Sequence, residues 1–344
     1  LAAIGQLAVA GAMVPSANWF LYGFVRKEAV ISSQIEGTQA TLMDVLTYEA
    51  TRKAERPAEV EEVCNYVDAL TFARAEIARP KGLPLSTRLL CEVHKRLMHG
   101  TRGADKEPGA VRTSQNWIGG NRPGNARFVP PPAGAVPKAL ADLERWIHGD
   151  DPLPPLVRAG VAHVQFETIH PFLDGNGRVG RLLVTLFLVE RGILPTPLLY
   201  LSAFFEATRR DYYNHLLGVS ARGEWSAWLQ YFLNGVARQA EDALSRAERI
   251  NGLLMKWREA VAGTASKTPL ALVDMLAANP YLTIKRAAKQ LGVAFTTAQR
   301  AVERLESLSI VKEISKARRD RVYCARAILN ILEEPARLTG GETT

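Results

Sequence analysis

Apolar residues recur at helical spacing over most of this 344-residue chain, and few stretches alternate as strands do. From Glu28 to Arg79 the pattern is long, charged and poor in breakers, and Pro80 to Pro84 interrupts it. Ser86 to His99 predicts a helix with Ser86 as N-cap and Gly100 beyond its end; Leu89, Leu90, Val93 and Leu97 share one face. Between 100 and 133, Gly, Pro and Asn cluster. There Asn116-Trp117-Ile118 and Arg127-Phe128-Val129 flank Gly119-Gly120-Asn121, which predicts a small β-hairpin on a helical scaffold. Helices resume at Val136–His148 and Leu156–Ile169. Val179–Arg191 is apolar on nearly every side, the pattern of a helix at the buried centre of a domain. Gly192 and Pro195 end it, and further helical stretches follow at about 201–219, 223–240 and on to 262.

From Thr268 the pattern resets. Helices are predicted over Pro269–Ala278, Ile284–Leu291 and Thr296–Ser307, with Gly292 as a turn. Val311 to Ile314 and Arg321 to Cys324 then alternate like two strands around a basic tip, Lys316-Ala317-Arg318-Arg319-Asp320. Three helices and a two-stranded wing predict a winged helix-turn-helix domain. The expected fold is mainly α. A helical region spans 1–84, a core with trailing helices 85–262, the winged helix 263–330 and a tail 331–344.

Composition supports a globular chain: 47% of residues are apolar and 23% charged. No run of about 20 apolar residues exists, so no membrane partner is expected. Cys64, Cys91 and Cys324 lie far apart, without disulfide or metal spacing, and a cytoplasmic location is the expectation. The apolar stretch Leu1 to Pro15 lacks the positive start of a signal peptide and reads as an opening helix or packing arm. The net charge of +8 is uneven: Lys267 to Arg326 carries 12 Lys and Arg against 5 acidic residues. That excess suggests a polyanion such as DNA as partner of the C-terminal module.

The chemistry concentrates in His170-Pro171-Phe172-Leu173-Asp174-Gly175-Asn176-Gly177-Arg178-Val179-Gly180-Arg181. Gly175 and Gly177 let main-chain N–H groups turn toward an anion. The helix starting nearby aims its positive end at the same place. Arg178 and Arg181, three apart, fall on one face of its first turns. Asp174 is suited to Mg²⁺ against phosphate oxygens. His170 is suited to general base work near neutral pH. Glu167-Thr168-Ile169-His170 is also an E-x-x-H, but a di-iron bundle needs a second copy, which the chain lacks. No P-loop and no G-x-S-x-G occurs. His163 and Gln165 read as interior hydrogen-bonding groups.

The run matches the H-P-F-x-D-G-N-G-R-x-x-R signature, and the chain resembles the Fic domain family over nearly its whole length. Pro108-Gly109 with Arg112, then Gln115 to Gly120, looks like the approach to the Fic flap; Arg127 to Pro131 looks like its second strand. A C-terminal winged helix resembles one bacterial branch. The resemblance implies a protein adenylyltransferase that moves AMP from ATP to a Ser, Thr or Tyr hydroxyl. His170 would be the base and Asp174 the Mg²⁺ ligand. Gly175, Asn176, Gly177, Arg178 and Arg181 would bind the phosphates, and Tyr212 and Tyr213 would enclose the adenosine. Ser32-x-x-x-Glu36-Gly37 matches the family's inhibitory-helix motif, so Glu36 would hold Arg181 and misalign the nucleotide. Implied partners are ATP, a protein substrate, this chain itself by automodification or as a homodimer, and DNA at the winged helix. A DNA-binding regulator whose Fic site senses a nucleotide is the alternative, and transfer of UMP is a variant that the loop alone leaves open.

Overall fold

A computed structural model describes residues 17–336 except 53, 195–198, 264–265 and 316–320, together with residue 5. The chain folds as helix after helix. The N-terminal helices are α1 (Ala17–Ile35), α2 (Leu42–Thr51) and α3 (Pro57–Ala78); α4 (Thr87–Leu97) follows. Next come α5 (Val136–His148), α6 (Pro155–Ile169), α7 (Asn176–Glu190), α8 (Leu201–Ala207), α9 (Arg209–Arg222) and α10 (Trp225–Ala262). The last group is α11 (Thr268–Ala278), α12 (Ile284–Leu291), α13 (Phe295–Ser307) and α14 (Arg326–Glu333). Helix starts are fixed by local chemistry. The Ser86 side chain accepts the Leu89 N–H at 3.3 Å, and Thr41 and Asp44 form a reciprocal capping box.

The all-round apolar helix α7 lies at the centre, as its pattern predicts, packed by α6, α3, α4 and α1. Val179, Leu182, Leu183, Leu186 and Phe187 on it are fully buried. It begins at Asn176, three residues before the apolar run, because its first turn is formed by the polar loop itself. Helix α10 runs unbroken for 38 residues, roughly 57 Å at the usual rise, instead of the two pieces expected. Its first half packs on α6, α8 and α9, and the helix also contacts α11 and α14.

Three strands form one antiparallel sheet in the order β1-β3-β2: β1 (Tyr281–Thr283), β2 (Lys312–Glu313) and β3 (Val322–Cys324). Tyr281 and Lys312 both pair with Cys324. The sequence reading has β2 and β3 but not β1, whose three residues are too few for an alternating pattern. The basic tip and the arm before residue 16, apart from residue 5, lie outside the described residues. The expected hairpin at 116–129 is reduced to one bridge, Ile118 to Phe128, around a 3-10 turn at Pro123–Asn125. The Asn125 carboxamide accepts the N–H of Asn121 and Arg122, so side-chain bonds hold the turn where a ladder would. No helix among the described residues is long and apolar enough to cross a membrane.

Arg246 ties the C-terminal segment to this frame. Its Nε donates to Asp242 at 2.8 Å, Tyr200 donates to the same carboxylate at 2.9 Å, and its remaining nitrogens donate to the carbonyls of Ile331, Glu334 and Pro335. Lys27 on α1 donates to the Glu334 carbonyl as well, at 3.1 Å. Arg246→Ala should leave the buried Asp242 carboxylate without its counter-charge and the Ile331 and Pro335 carbonyls without their donor, at a cost of about 3–5 kcal/mol. Urea unfolding checks this, and a loss below about 1 kcal/mol would show the cluster to be dispensable.

Candidate active site

The site is built where α6 stops and α7 starts. His170 ends α6 in the left-handed region, φ 49°, a conformation rare outside glycine. It is held there from several sides. Its N–H donates to Phe166 O at 2.9 Å, and its carbonyl accepts Arg112 Nε at 2.9 Å and Asn116 Nδ2 at 3.3 Å. Arg112, 1% exposed, also donates to the carbonyls of Ile169, Ser114 and Pro131, and so ties the 170–175 loop to the flap. His170 Nδ1 lies 3.3 Å from the Glu167 carbonyl. An oxygen acceptor fixes the proton on Nδ1 and leaves the Nε2 lone pair available as a base. Burial pushes this imidazole down to about 4, so it is neutral at physiological pH.

The turn after His170 is closed by Asn176. Its Oδ1 accepts the Phe172 N–H and its Nδ2 donates to Phe172 O, each at 2.8 Å. The expectation that the Asn176 amide faces a phosphate is therefore corrected: the side chain braces the loop, and only its main-chain N–H remains for an anion. Phe172 stacks on His94 at 3.9 Å between ring centroids. His94 Nδ1 accepts the Gly109 N–H at 2.8 Å, so its proton sits on Nε2, which lies 3.0 Å from the Asp174 carbonyl. Gly175 caps α7 at φ 76° without a side-chain bond. The first bond of α7 runs from Val179 N–H to Gly175 O, so the amides of Asn176, Gly177 and Arg178 precede its ladder.

The two arginines part company. Arg178, 2% exposed, pairs with Glu62 on α3 and donates to Met98 Sδ at 3.3 Å. It does not line the cavity, which corrects the expectation that it shares a phosphate face with Arg181. The two lie three apart on α7, but a buried carboxylate remote in sequence turns Arg178 away. Arg181, 3% exposed, does line the cavity. Its Nε donates to Ser32 Oγ at 2.9 Å, and its Nη2 donates to Ser32 O and Glu36 Oε1, each at 2.8 Å. Burial pushes the Glu36 carboxyl up, but Arg181 beside it outweighs burial and holds it below its ordinary range. Glu36 stands just past the end of α1, before Gly37 at φ 97°. Arg102 donates to the Glu36 carbonyl at 3.1 Å, and Arg209 donates to that of Ile35. A Cβ on Gly177 would overlap the Glu36 carboxylate, so only glycine there admits it to the first turn of α7.

These groups surround a cavity of about 330 Å³. Its walls include Glu36, His170, Asp174, Gly175, Gly177 and Arg181 at one end, with Tyr212, Tyr213, Leu216 and Ser220 of α9 and the flap residues Trp117, Ile118 and Phe128. The Tyr212 hydroxyl lies 2.9 Å from His163 Nε2, and His163 Nδ1 lies 2.9 Å from the Gly180 carbonyl. His163 is thus the interior group expected, and it holds Tyr212 in the wall. Asp174 Oδ1 accepts the Gly175 N–H at 2.7 Å; Oδ2 sits where a Cβ on Gly103 would come within 2.6 Å. A single loop carboxylate such as Asp174 fits Mg²⁺ that keeps water and takes phosphate oxygens for its other ligands. No cluster of three or more His, Cys, Asp or Glu suited to a metal occurs among the described residues. The sequence reading passed over Glu62, His94, Arg102 and the site position of Glu167. Only His94 carried a signal, a polar residue beside Leu90, Val93 and Leu97 on the apolar face of α4.

Residues 84–188 match the model of the Fic/DOC family, and residues 1–75 match that of the Fic/DOC family N-terminal region. The chain is similar to the protein adenylyltransferase Fic-1 of Caenorhabditis elegans, 30% identical over 190 residues, 55% of this chain and 34% of that protein. It is 26% identical over 202 residues to the protein adenylyltransferase Fic of Drosophila erecta, 57% of this chain and 37% of that protein. The chain thus spans about a third of the length of these curated relatives. In fold it is similar to a Fic family protein from Desulfovibrio desulfuricans G20, with a TM-score of 0.60, 23% identity and 94% of each chain covered.

Burial pushes His94, His163 and His170 each from 6.5 down to about 4. Each therefore contributes stability that is present above pH 6.5 and lost as the pH falls toward 4. Ring-nitrogen NMR should find all three neutral at about pH 5.5, with Nδ1–H on His163 and His170 and Nε2–H on His94. Imidazolium signals at that pH would overturn the assignment.

Proposed function

The chain belongs to the Fic/DOC family, and we propose that it is a self-inhibited protein adenylyltransferase, a nucleotidyltransferase that moves AMP from ATP to a Ser, Thr or Tyr hydroxyl of a protein. The observation that carries the reading is Arg181, the family motif's last arginine, clamped by Ser32 and Glu36 at the mouth of a helix whose first amides face an anion seat.

In this reading His170 Nε2 takes the proton of the target hydroxyl. The hydroxyl oxygen forms a bond to the α-phosphorus as the bond from that phosphorus to the bridging oxygen breaks. The electron pair leaves with pyrophosphate. Holding Nδ1–H on the Glu167 carbonyl aims the lone pair, and the neutral state set by burial makes it available at pH 7. The amides of Asn176, Gly177 and Arg178 and the α7 dipole stabilise phosphate charge without reorganising. Asp174 is the residue that would hold Mg²⁺, which supplies charge neutralisation on the phosphates when bound. Tyr212 and Tyr213 form the wall against which the adenosine lies. Arg178 acts through Glu62 as an anchor of the loop.

Inhibition follows from competition for one guanidinium. Glu36 Oε1 occupies Arg181 Nη2, and its carboxylate covers Gly177. Both positions are ones a γ-phosphate would need. The trapped nucleotide then binds without its α-phosphate in line.

We read the three helices α11–α13 and the sheet β1-β3-β2 as a winged helix, with its Gly292 turn at φ 64°. On that reading the boundaries near 84, 262 and 330 separate the inhibitory region, the catalytic core, the winged helix and the tail. The basic excess there is the argument for DNA as its partner. The complete catalytic set favours the enzyme over a regulator that merely senses a nucleotide, because sensing needs no base.

Glu36→Gly should raise automodification and target labelling by ATP well above wild type. Arg181→Ala should not, and the double variant should follow Arg181→Ala, since both phosphate and Glu36 use that side chain. Equal labelling by wild type and Glu36→Gly at matched Mg²⁺-ATP would remove the inhibitory reading. In the Glu36→Gly background, His170→Ala should cut transfer about 10²–10⁴-fold while leaving ATP affinity nearly intact. Calorimetry and mass spectrometry of the labelled hydroxyl read both, and full activity without His170 would sink the base assignment.

A further inference from the structure

Glu167, the first residue of the E-x-x-H that no metal site explains, is a functional group without an evident structural use. It is 9% exposed, lines the cavity, and its Oε1 has no hydrogen-bond partner among the described residues. Buried carboxyls in native proteins are normally satisfied, so an orphan in the wall of a reactive cavity points to a ligand or a reaction step. The fold makes room for it: a Cβ on Gly180 would overlap Oε1, so glycine at that position of α7 lets the carboxyl lie against the helix. Its other oxygen, Oε2, lies 3.9 Å from His170 Nδ1.

We propose that Glu167 is a positioning residue that supplies the counter-charge for the His170 imidazolium formed when Nε2 takes the target's proton. The inference rests on the adenylyltransferase reading. Its geometry is one turn of α6: the Glu167 carbonyl holds Nδ1–H, and the carboxyl of the same residue stands beside the ring. Elimination favours it. The acidic residues lining the cavity are Glu36, Glu167 and Asp174. Glu36 must withdraw for catalysis, and Asp174 is the residue assigned to Mg²⁺. Glu167 then remains as the carboxyl beside the base.

The charged and titratable groups around it are consistent with that task. Arg181 faces it from α7, Tyr212 from α9 and Glu36 from the end of α1, while Arg112 stands behind His170. Burial pushes the Glu167 carboxyl up to about 7, with Arg181 opposing. At such a value the ionised form is populated at neutral pH, and a positive charge beside it favours that form. The step starts from ionised Glu167: the target's proton goes to Nε2, Nδ1 keeps its own, and the carboxylate already present carries the compensating negative charge.

The test compares Glu36→Gly with Glu36→Gly/Glu167→Gln. The expected result is a kcat lower by about tenfold or more, with the KM and calorimetric Kd for ATP within about twofold of the parent. The melting temperature should be unchanged or higher, because the amide fits the same space without a buried charge. Glu167→Asp, which keeps the charge but draws it back by one methylene, should fall between the two in kcat. An unchanged kcat overturns the proposal. So does an ATP affinity that weakens in step with kcat, which would make Glu167 a nucleotide ligand. A melting temperature several degrees lower in the Gln variant would assign the carboxyl to stability instead. Failure of the Glu36→Gly parent to transfer AMP at all is a separate result: it defeats the adenylyltransferase reading, and the role of Glu167 with it.

Discussion

A guanidinium buried in protein must be matched by acceptors, and the arrangement around Arg181 follows from that need. Its side chain lines the cavity at the start of the central helix, between the Glu36 carboxylate and the buried Ser32. Ser32 gives it a hydroxyl and a carbonyl, and Glu36 gives it charge. Ser32 lies on α1 and Glu36 one residue past its end, so the N-terminal helix is bonded to α7 as well as packed on it. The contact has unequal sides: the Arg181 side chain is 2% exposed and that of Glu36 32%. Glu36 can meet water by a small movement, whereas Arg181 cannot. In the proposed reading a phosphate can take over as Arg181's counter-ion, and the switch becomes an exchange of anions at a fixed cation.

Arg181 and His170 are placed by a loop held through its own main chain. Arg112, Asn116 and Asn176 donate to carbonyls between Ile169 and Phe172, and His94 reaches the Asp174 carbonyl. The left-handed conformation of His170 is the consequence. Without those donors a histidine would relax from φ 49°, the Nδ1 bond to the Glu167 carbonyl would be lost, and the lone pair would no longer face the cavity. In the proposed reading a rigid loop serves the exchange at Arg181, since a switch can be read only against a fixed site.

The sequence revealed this division unevenly, for physical reasons. The 170–181 run was legible because glycines, a helix start, cations and a histidine coincide within twelve residues. The pairing of Glu36 with Arg181 followed from the family motif and stands in the structure at 2.8 Å. Arg178 was misread because helical spacing records which side chains share a side of α7 but not that Glu62 waits there. The braces at Arg112 and Asn116 were hidden differently: their acceptors are carbonyl oxygens, which every residue carries. In the fold, the long helices declared themselves by period, while β1 exists through a partner strand some forty residues on.

Helix α1 also has a second attachment, at its other end. Lys27 donates to the Glu334 carbonyl, Asn279 Nδ2 donates to the Tyr22 hydroxyl at 2.7 Å, and a Cβ on Gly23 would come within 2.8 Å of Leu332. Lys27 lies nine residues before Glu36, about 13 Å along a helix. Arg246 fixes the same Glu334 carbonyl, and that of Pro335, to α10, which also packs on α6. Helix α1 is thus held at Arg181 near one end and at the C-terminal segment near the other. On the proposed reading, the inhibitory carboxylate stands just past the end of a helix that the C-terminal segment holds near its other end.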